Sequence, residues 1–127
     1  MKMEHVGLNV PEPLQAAKWY VQHLGMKIIR EAGPPHYAFF LADSAGQSMI
    51  EIYHNTAEAV PNYVKQSPLT VHLAFVSDDP HADAERLQEA GADFVEEVGP
   101  EGGDHIITLR DPWGVPVQVA KRQNSLY

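Results

Sequence analysis

The sequence has no cysteine, which excludes disulfide scaffolds, thiolate zinc sites and cysteine nucleophiles. It also has no long apolar run. The longest, Tyr37-Ala38-Phe39-Phe40-Leu41-Ala42, falls far short of the roughly 20 residues that a membrane helix needs. The opening Met-Lys-Met-Glu-His carries no apolar stretch of the signal-peptide kind, so the expected location is cytoplasmic. Basic charge is scarce: nine Lys plus Arg stand against seventeen Asp plus Glu, a formal net charge of −8. The basic residues are scattered, with only Lys121 and Arg122 adjacent. That distribution argues against nucleic acid and against a membrane surface as partners. With 44% hydrophobic and 20% charged residues, the composition is that of a globular chain. A length of 127 residues fits one compact domain.

Ten prolines and nine glycines cut the chain into short segments. Residues 3–10 alternate, with Val6, Leu8 and Val10 on one side and His5, Gly7 and Asn9 on the other, the pattern of a strand with one buried face. Pro11 then opens a helical pattern in which Leu14, Ala17, Tyr20, Val21 and Leu24 recur at spacings of three and four, and Gly25 is placed to end it. Strands are predicted at 27–31, 36–42 and 48–54, with turns at Gly33-Pro34-Pro35 and at Asp43-Ser44-Ala45-Gly46. The order then recurs: a strand at 69–77, a helix at 80–90 closed by Gly91, and strands at 92–97, 104–110 and 115–121. The polar stretch 55–68 reads as a linker. The expected fold is α+β, with two tandem β-α-β-β-β modules (1–54 and 69–127) forming a curved mixed sheet around a concave cup.

A constant offset supports a duplication. Adding 67 to His5 gives His72, to Pro13 gives Pro80, to Ala17 gives Ala84, and to Glu51 gives Gln118. Strand type, helix type and polar parity agree at that same offset, which is the signature of an internal repeat.

The repeat singles out four polar side chains on otherwise apolar strands. Glu51 alternates with Ile50 and Ile52, and Gln118 with Val117 and Val119. His5 and His72 lie opposite Val6/Leu8 and Leu73/Phe75. All four face away from the parity that would pack under helices, and so would point into the cup. Each taken singly is as readily a hydrogen-bonded strand residue. Together, two imidazoles, one carboxylate and one amide oxygen suit a borderline divalent ion such as Ni, Zn, Co, Mn or Fe. Such a centre can polarise a carbonyl through open coordination positions.

The segment Ala17-Lys18-Trp19-Tyr20-Val21-Gln22-His23-Leu24-Gly25-Met26 resembles the helix signature of the vicinal oxygen chelate superfamily, which contains glyoxalase I, bleomycin-resistance proteins, methylmalonyl-CoA epimerase and extradiol dioxygenases. Asp111-Pro112-Trp113-Gly114, four positions before Gln118, resembles its closing motif. The resemblance implies paired β-α-β-β-β modules, commonly in a homodimer. It also implies metal ligands on the first and last strands of each module, here His5, Glu51, His72 and Gln118. One departure stands out: the bacterial glyoxalase I pattern has Glu where this chain has Gln118, which leaves Glu51 as the sole carboxylate of the set.

The expected activity is therefore metal-assisted proton transfer beside the carbonyl of a small substrate that binds through vicinal oxygens, in a lyase or isomerase, with Glu51 as base. His36, Tyr37, His105 and Trp113 are candidates for a second proton carrier or substrate contact. His36 and Tyr37 have opposite parity, so at most one of them enters the cup. The competing expectation is a metal-free small-molecule binding protein of the bleomycin-resistance type. Glu97 reads as part of a solvated strand end, and His81 as a solvated residue near a helix start.

Overall fold

The computed structural model describes residues 1–126. They form two compact units, which divide between residues 61 and 62. In the first, β1 (Val6–Asn9), α1 (Pro13–Leu24), β2 (Lys27–Glu31), β3 (Phe39–Ala42) and β4 (Met49–Tyr53) form a four-stranded sheet of order β1-β4-β3-β2. In the second, β5 (Leu73–Val76), α2 (Pro80–Glu89), β6 (Asp93–Val98), β7 (His105–Arg110) and β8 (Pro116–Lys121) form a sheet of order β5-β8-β7-β6. Both sheets are mixed: β1 runs parallel to β4 and β5 parallel to β8, while the remaining pairs are antiparallel. The α+β class and the β-α-β-β-β order are thus observed. No helix among the described residues is long and apolar enough to cross a membrane.

Each helix begins on a proline, which is preorganised for a first helical position and has no N–H to leave unpaired. Helix α1 ends at Gly25, in the left-handed conformation (φ 66°), with its N–H donated to the Tyr20 carbonyl. The buried stripe of α1 is Pro13, Ala16, Ala17, Trp19 and Tyr20, whereas Leu14 and Val21 are exposed. Sequence periodicity had included both. They sit seven residues apart, so they form a second apolar row beside the one that packs on the sheet. In α2 the inward residues Ala84 and Leu87 are those expected, and Asp79 caps the helix by accepting the Ala82 N–H at 3.1 Å. The first core gathers Leu8, Val10, Tyr20, Phe39, Leu41, Ile50 and Ile52, the second Leu87, Ile107, Leu109, Val117 and Val119.

The modules repeat in detail. In each, the second strand carries one extra residue against the third, between Ile28 and Arg30 in one sheet and between Phe94 and Glu96 in the other. In each, an aspartate holds the turn between the third and fourth strands. Asp43 Oδ1 accepts the Gln47 N–H at 2.9 Å, and Asp111 Oδ1 accepts the N–H groups of Trp113 and Val115, each at 2.9 Å. The Asp-Pro-Trp-Gly motif is thus a hairpin turn built round a buried carboxylate. Gly114 (φ 88°) completes it, because a Cβ there would meet Val64 Cγ2 at 2.5 Å.

Three expectations shift. The predicted strand 69–77 begins only at Leu73, after a turn at 68–70, so His72 lies just before it. The predicted strand 36–42 begins only at Phe39, since residues 34–36 form a turn and Tyr37 adopts φ 49°, which a strand cannot continue. The stretch 55–68 is not wholly irregular. It contains a single 3-10 turn, Tyr63–Lys65, whose Tyr63 is buried. Arg110 clamps that segment, donating from Nη1 to the Tyr63 carbonyl at 2.6 Å and from Nη2 to the Gln66 carbonyl at 2.7 Å.

Two outcomes follow for stability. Replacing buried Asp111 by Ala orphans two amides and should cost about 1–3 kcal/mol in urea unfolding. Asp43→Ala should cost less, because water can replace its partners; equal costs would contradict this account of the turns. Burial would raise the Asp83 carboxyl, but the Ser77 hydroxyl (2.6 Å) and Arg86 outweigh it and hold that carboxyl below its ordinary value. A depressed carboxylate stabilises the fold above its unfolded pKa and loses that contribution as pH falls through the folded value. Ser77→Ala should therefore destabilise by about 1 kcal/mol at neutral pH, with the difference narrowing below the unfolded value of 3.8. A gap that widens on acidification would contradict the assignment.

Candidate metal-ligand faces

In the first module, the parallel register sets Gly7 against Glu51, and the antiparallel register sets Phe40 against Glu51. His5 lies two residues before Gly7 and so keeps its parity. The face of the sheet turned away from α1 thus carries His5, Phe40 and Glu51. His5 Nε2 is 3.2 Å from Glu51 Oε2, with side-chain exposures of 29% and 22%, so the pair is sheltered but reachable. The His5 ring meets Phe40 edge-on at 5.3 Å, and the Arg30 guanidinium stands 5.9 Å from the centre of the Phe40 ring. Gly7 makes room for the group: a Cβ there would lie 3.1 Å from the Tyr53 ring and 3.6 Å from Glu51 Oε2.

The second module repeats the arrangement with other side chains. Gln118 pairs with Ala74 on one side and Thr108 on the other, and His72 lies two residues before Ala74. Gln118 Nε2 donates to the buried Thr108 hydroxyl at 3.1 Å, a bond that does not use the amide oxygen. His72 Nδ1 donates to the Pro68 carbonyl at 2.8 Å, leaving Nε2 as its lone-pair nitrogen.

The contacts of His5 bear on how its ring nitrogens are used. His5 Nδ1 lies 2.9 Å from Glu4 Oε2, so its nitrogen facing Glu51 is again Nε2. A neutral imidazole has one N–H to donate. Carboxylates at both ring nitrogens are therefore satisfied together only by an imidazolium or by a cation between Nε2 and Glu51. Two ligands each about 2.1 Å from one ion stand roughly 3 Å apart, close to the separation in this pair. Partners that orient the far nitrogen of a ligating histidine are the usual outer support of such sites.

The remaining candidates separate. A cavity of about 370 Å³ in the first module is lined by the Gly33-Pro34-Pro35-His36 turn, Ala38, Glu51, Tyr53 and Asn55, a volume within the range of small-ligand sites. His36 therefore shares a cavity with Glu51, whereas Tyr37 is exposed and outside that lining. His36 is held in place through its own carbonyl, which accepts the His54 N–H at 2.9 Å. Trp113 is half-buried in the Asp111 turn. His105 requires a correction as a candidate for the cup. It has the parity of Ile107 and Leu109, which are buried beneath α2, and so lies on the opposite face of its sheet from Gln118. There it meets Glu97 and His81.

Residue parity alone does not reveal Arg30, Phe40 or Thr108; Tyr53, two residues from Glu51 in β4, it does place on the Glu51 side. The alternation was visible within each strand, but which side chains share a face depends on cross-strand register and on the extra residue in β2.

The chain is similar along most of its length to several known proteins. The family model described as glyoxalase/bleomycin resistance protein/dioxygenase superfamily matches residues 2–119. A lactoylglutathione lyase from Haemophilus influenzae is 28% identical over 130 residues, covering 98% of this chain and 96% of that protein. A lactoylglutathione lyase from Salmonella typhimurium is 26% identical over 132 residues, covering 98% and 96%. Among solved structures, a glyoxalase family protein from Bacillus cereus superposes with a TM-score of 0.80 at 17% identity over 94% of this chain and 93% of that one. A glyoxalase I mutant from Zea mays gives 0.76 at 24% identity, over 97% of this chain and 46% of that one. The match along almost the whole sequence, on a fold that repeats the same module twice, places the chain in the glyoxalase/bleomycin resistance protein/dioxygenase superfamily.

Proposed function

We propose that the protein is a glyoxalase-like, metal-dependent enzyme that moves a proton at the carbon beside a carbonyl of a small substrate. The observation that carries this reading is the His5 Nε2–Glu51 Oε2 pair at 3.2 Å beside the His36-lined cavity. The proposed ligands of a divalent ion are His5 and Glu51, with His72 and Gln118 as the corresponding residues of the second module. When bound, that ion supplies Lewis-acid polarisation of the substrate carbonyl and charge stabilisation of the developing enediolate.

The chain's own residues supply the rest. Glu51 takes the proton from the activated carbon through a carboxylate oxygen and returns it to the neighbouring carbon, so no net acid or base is consumed. With Gln118 in the fourth ligand position, Glu51 is the only carboxylate of the set. His36, on the same cavity as Glu51, is the proposed second proton carrier or substrate contact. Phe40 and Tyr53 present aromatic surface beside the pair and help to exclude water. The lyase relatives are named for lactoylglutathione. An α-hydroxy thioester of that kind carries a hydroxyl and a carbonyl oxygen on adjacent carbons, which is the two-point pattern that a chelating site takes.

The test is turnover of the methylglyoxal–glutathione hemithioacetal by metal-loaded protein. Glu51→Gln should lower kcat by about 10²–10⁴-fold while metal is retained, because an amide oxygen still ligates. His36→Ala should lower activity less. A fully active Glu51→Gln variant would remove Glu51 from this role. Tight binding of a bulky cationic drug by metal-free protein, with no turnover, would favour a sequestering protein instead.

A further inference from the structure

On the face of the second sheet opposite Gln118, His81, Glu97 and His105 offer three ligand atoms that all lie within 4.8 Å of one another. Glu97 Oε1 is 2.9 Å from His81 Nε2 and 2.7 Å from His105 Nε2, and the two imidazole rings stand 4.9 Å apart at 57°. Three different elements bring them together. His81 follows Pro80 in the first turn of α2, Glu97 pairs with Ile107 from β6, and His105 opens β7. None of the three belongs to the ligand set proposed above.

Two imidazole nitrogens and one carboxylate oxygen are a donor set for a borderline divalent ion. Separations of 2.7 and 2.9 Å, both to Glu97 Oε1, are about 0.5–0.7 Å short of the roughly 3.4 Å between tetrahedral ligands about 2.1 Å from a shared ion, so the side chains part by that much to admit it. Exposure is graded across the group: 14% for the His105 side chain, 25% for Glu97 and 62% for His81. His105 and Glu97 therefore form an anchored pair, and His81 is the ligand through which an ion enters from solvent. Three protein ligands leave a fourth position for water, as in open zinc sites.

The group is peculiar to the second module. The first-module counterparts, matched by helix start and strand register, are Leu14, Glu31 and Tyr37, which cannot make such a set. The duplicated scaffold therefore does not require it.

We propose that His81, Glu97 and His105 form a second divalent-metal site of the Zn²⁺ or Ni²⁺ type, separate from the His5/Glu51/His72/Gln118 set, which ties the start of α2 to the β6–β7 hairpin. An ion held by the folded module and not by the unfolded chain stabilises the fold by mass action.

The experiment uses Zn²⁺ as probe on the full chain carrying His5→Ala and His72→Ala, so that failure of the proposed catalytic centre cannot be mistaken for failure of this one. Equilibrium dialysis should show one Zn²⁺ per chain, with an upward shift of the thermal unfolding midpoint. Adding His81→Ala, a change at an exposed position that leaves the core intact, should weaken Zn²⁺ at least about tenfold and abolish the thermal shift. Undiminished binding after His81→Ala overturns the proposal. So does an absence of Zn²⁺ binding in the His5→Ala/His72→Ala chain, since the group is then a hydrogen-bonded clasp and nothing more.

Discussion

In each module the first strand pairs in parallel with the last, and the chain must pass through a helix and two further strands before that pairing closes. A parallel pair cannot be made by a tight turn, so the helix is forced to cover one face of the sheet. The other face stays clear of it. Register then decides what stands there: Gly7 against Glu51 in one module and Ala74 against Gln118 in the other. His5, just before β1, reaches that face through its contact with Glu51, whereas His72, just before β5, is exposed and bonds the Pro68 carbonyl. A slip of one residue in either register would turn the polar side chains under the helix and the valines and isoleucines outward.

The two modules share their framework and differ in the chemistry placed on it. Extra residues in the second strands, aspartate-held turns and proline-started helices occur at corresponding places. On the helix-free faces, a carboxylate beside aromatic rings in the first module corresponds to an amide held by a threonine hydroxyl in the second. The His81-Glu97-His105 group is a further divergence, on the face that the helix covers only in part.

Much of this was legible in the sequence because the signals are local or periodic. Alternation around Glu51 and Gln118 gave the strands and their polar side, and the offset of 67 between Pro13 and Pro80 gave the repeat. What escaped depended on contacts between distant segments. Leu14 and Val21 fit a helical period yet are exposed, because the packed stripe is centred on Ala16, Ala17 and Tyr20. Tyr37 looked like a strand residue, but its positive φ ends the extended run. His105 has a strand residue's parity, and only the pairing of β7 with β6 and β8 shows that its side is the helix side. Glu97 and His81 carry no local signal at all, since their meeting requires α2 and β6 to be placed together.

The central proposal is that His5, Glu51, His72 and Gln118 are metal ligands, and metal content tests it most directly. Elemental analysis after metal loading and dialysis should be made on a His81→Ala chain, which silences the group on the other face. That chain should retain about one transition metal ion, and adding His5→Ala and His72→Ala should remove it. A metal content unchanged by the two histidine substitutions would contradict the ligand assignment. A His81→Ala chain that takes up no Ni, Zn, Co, Mn or Fe would contradict the metal-dependent reading itself.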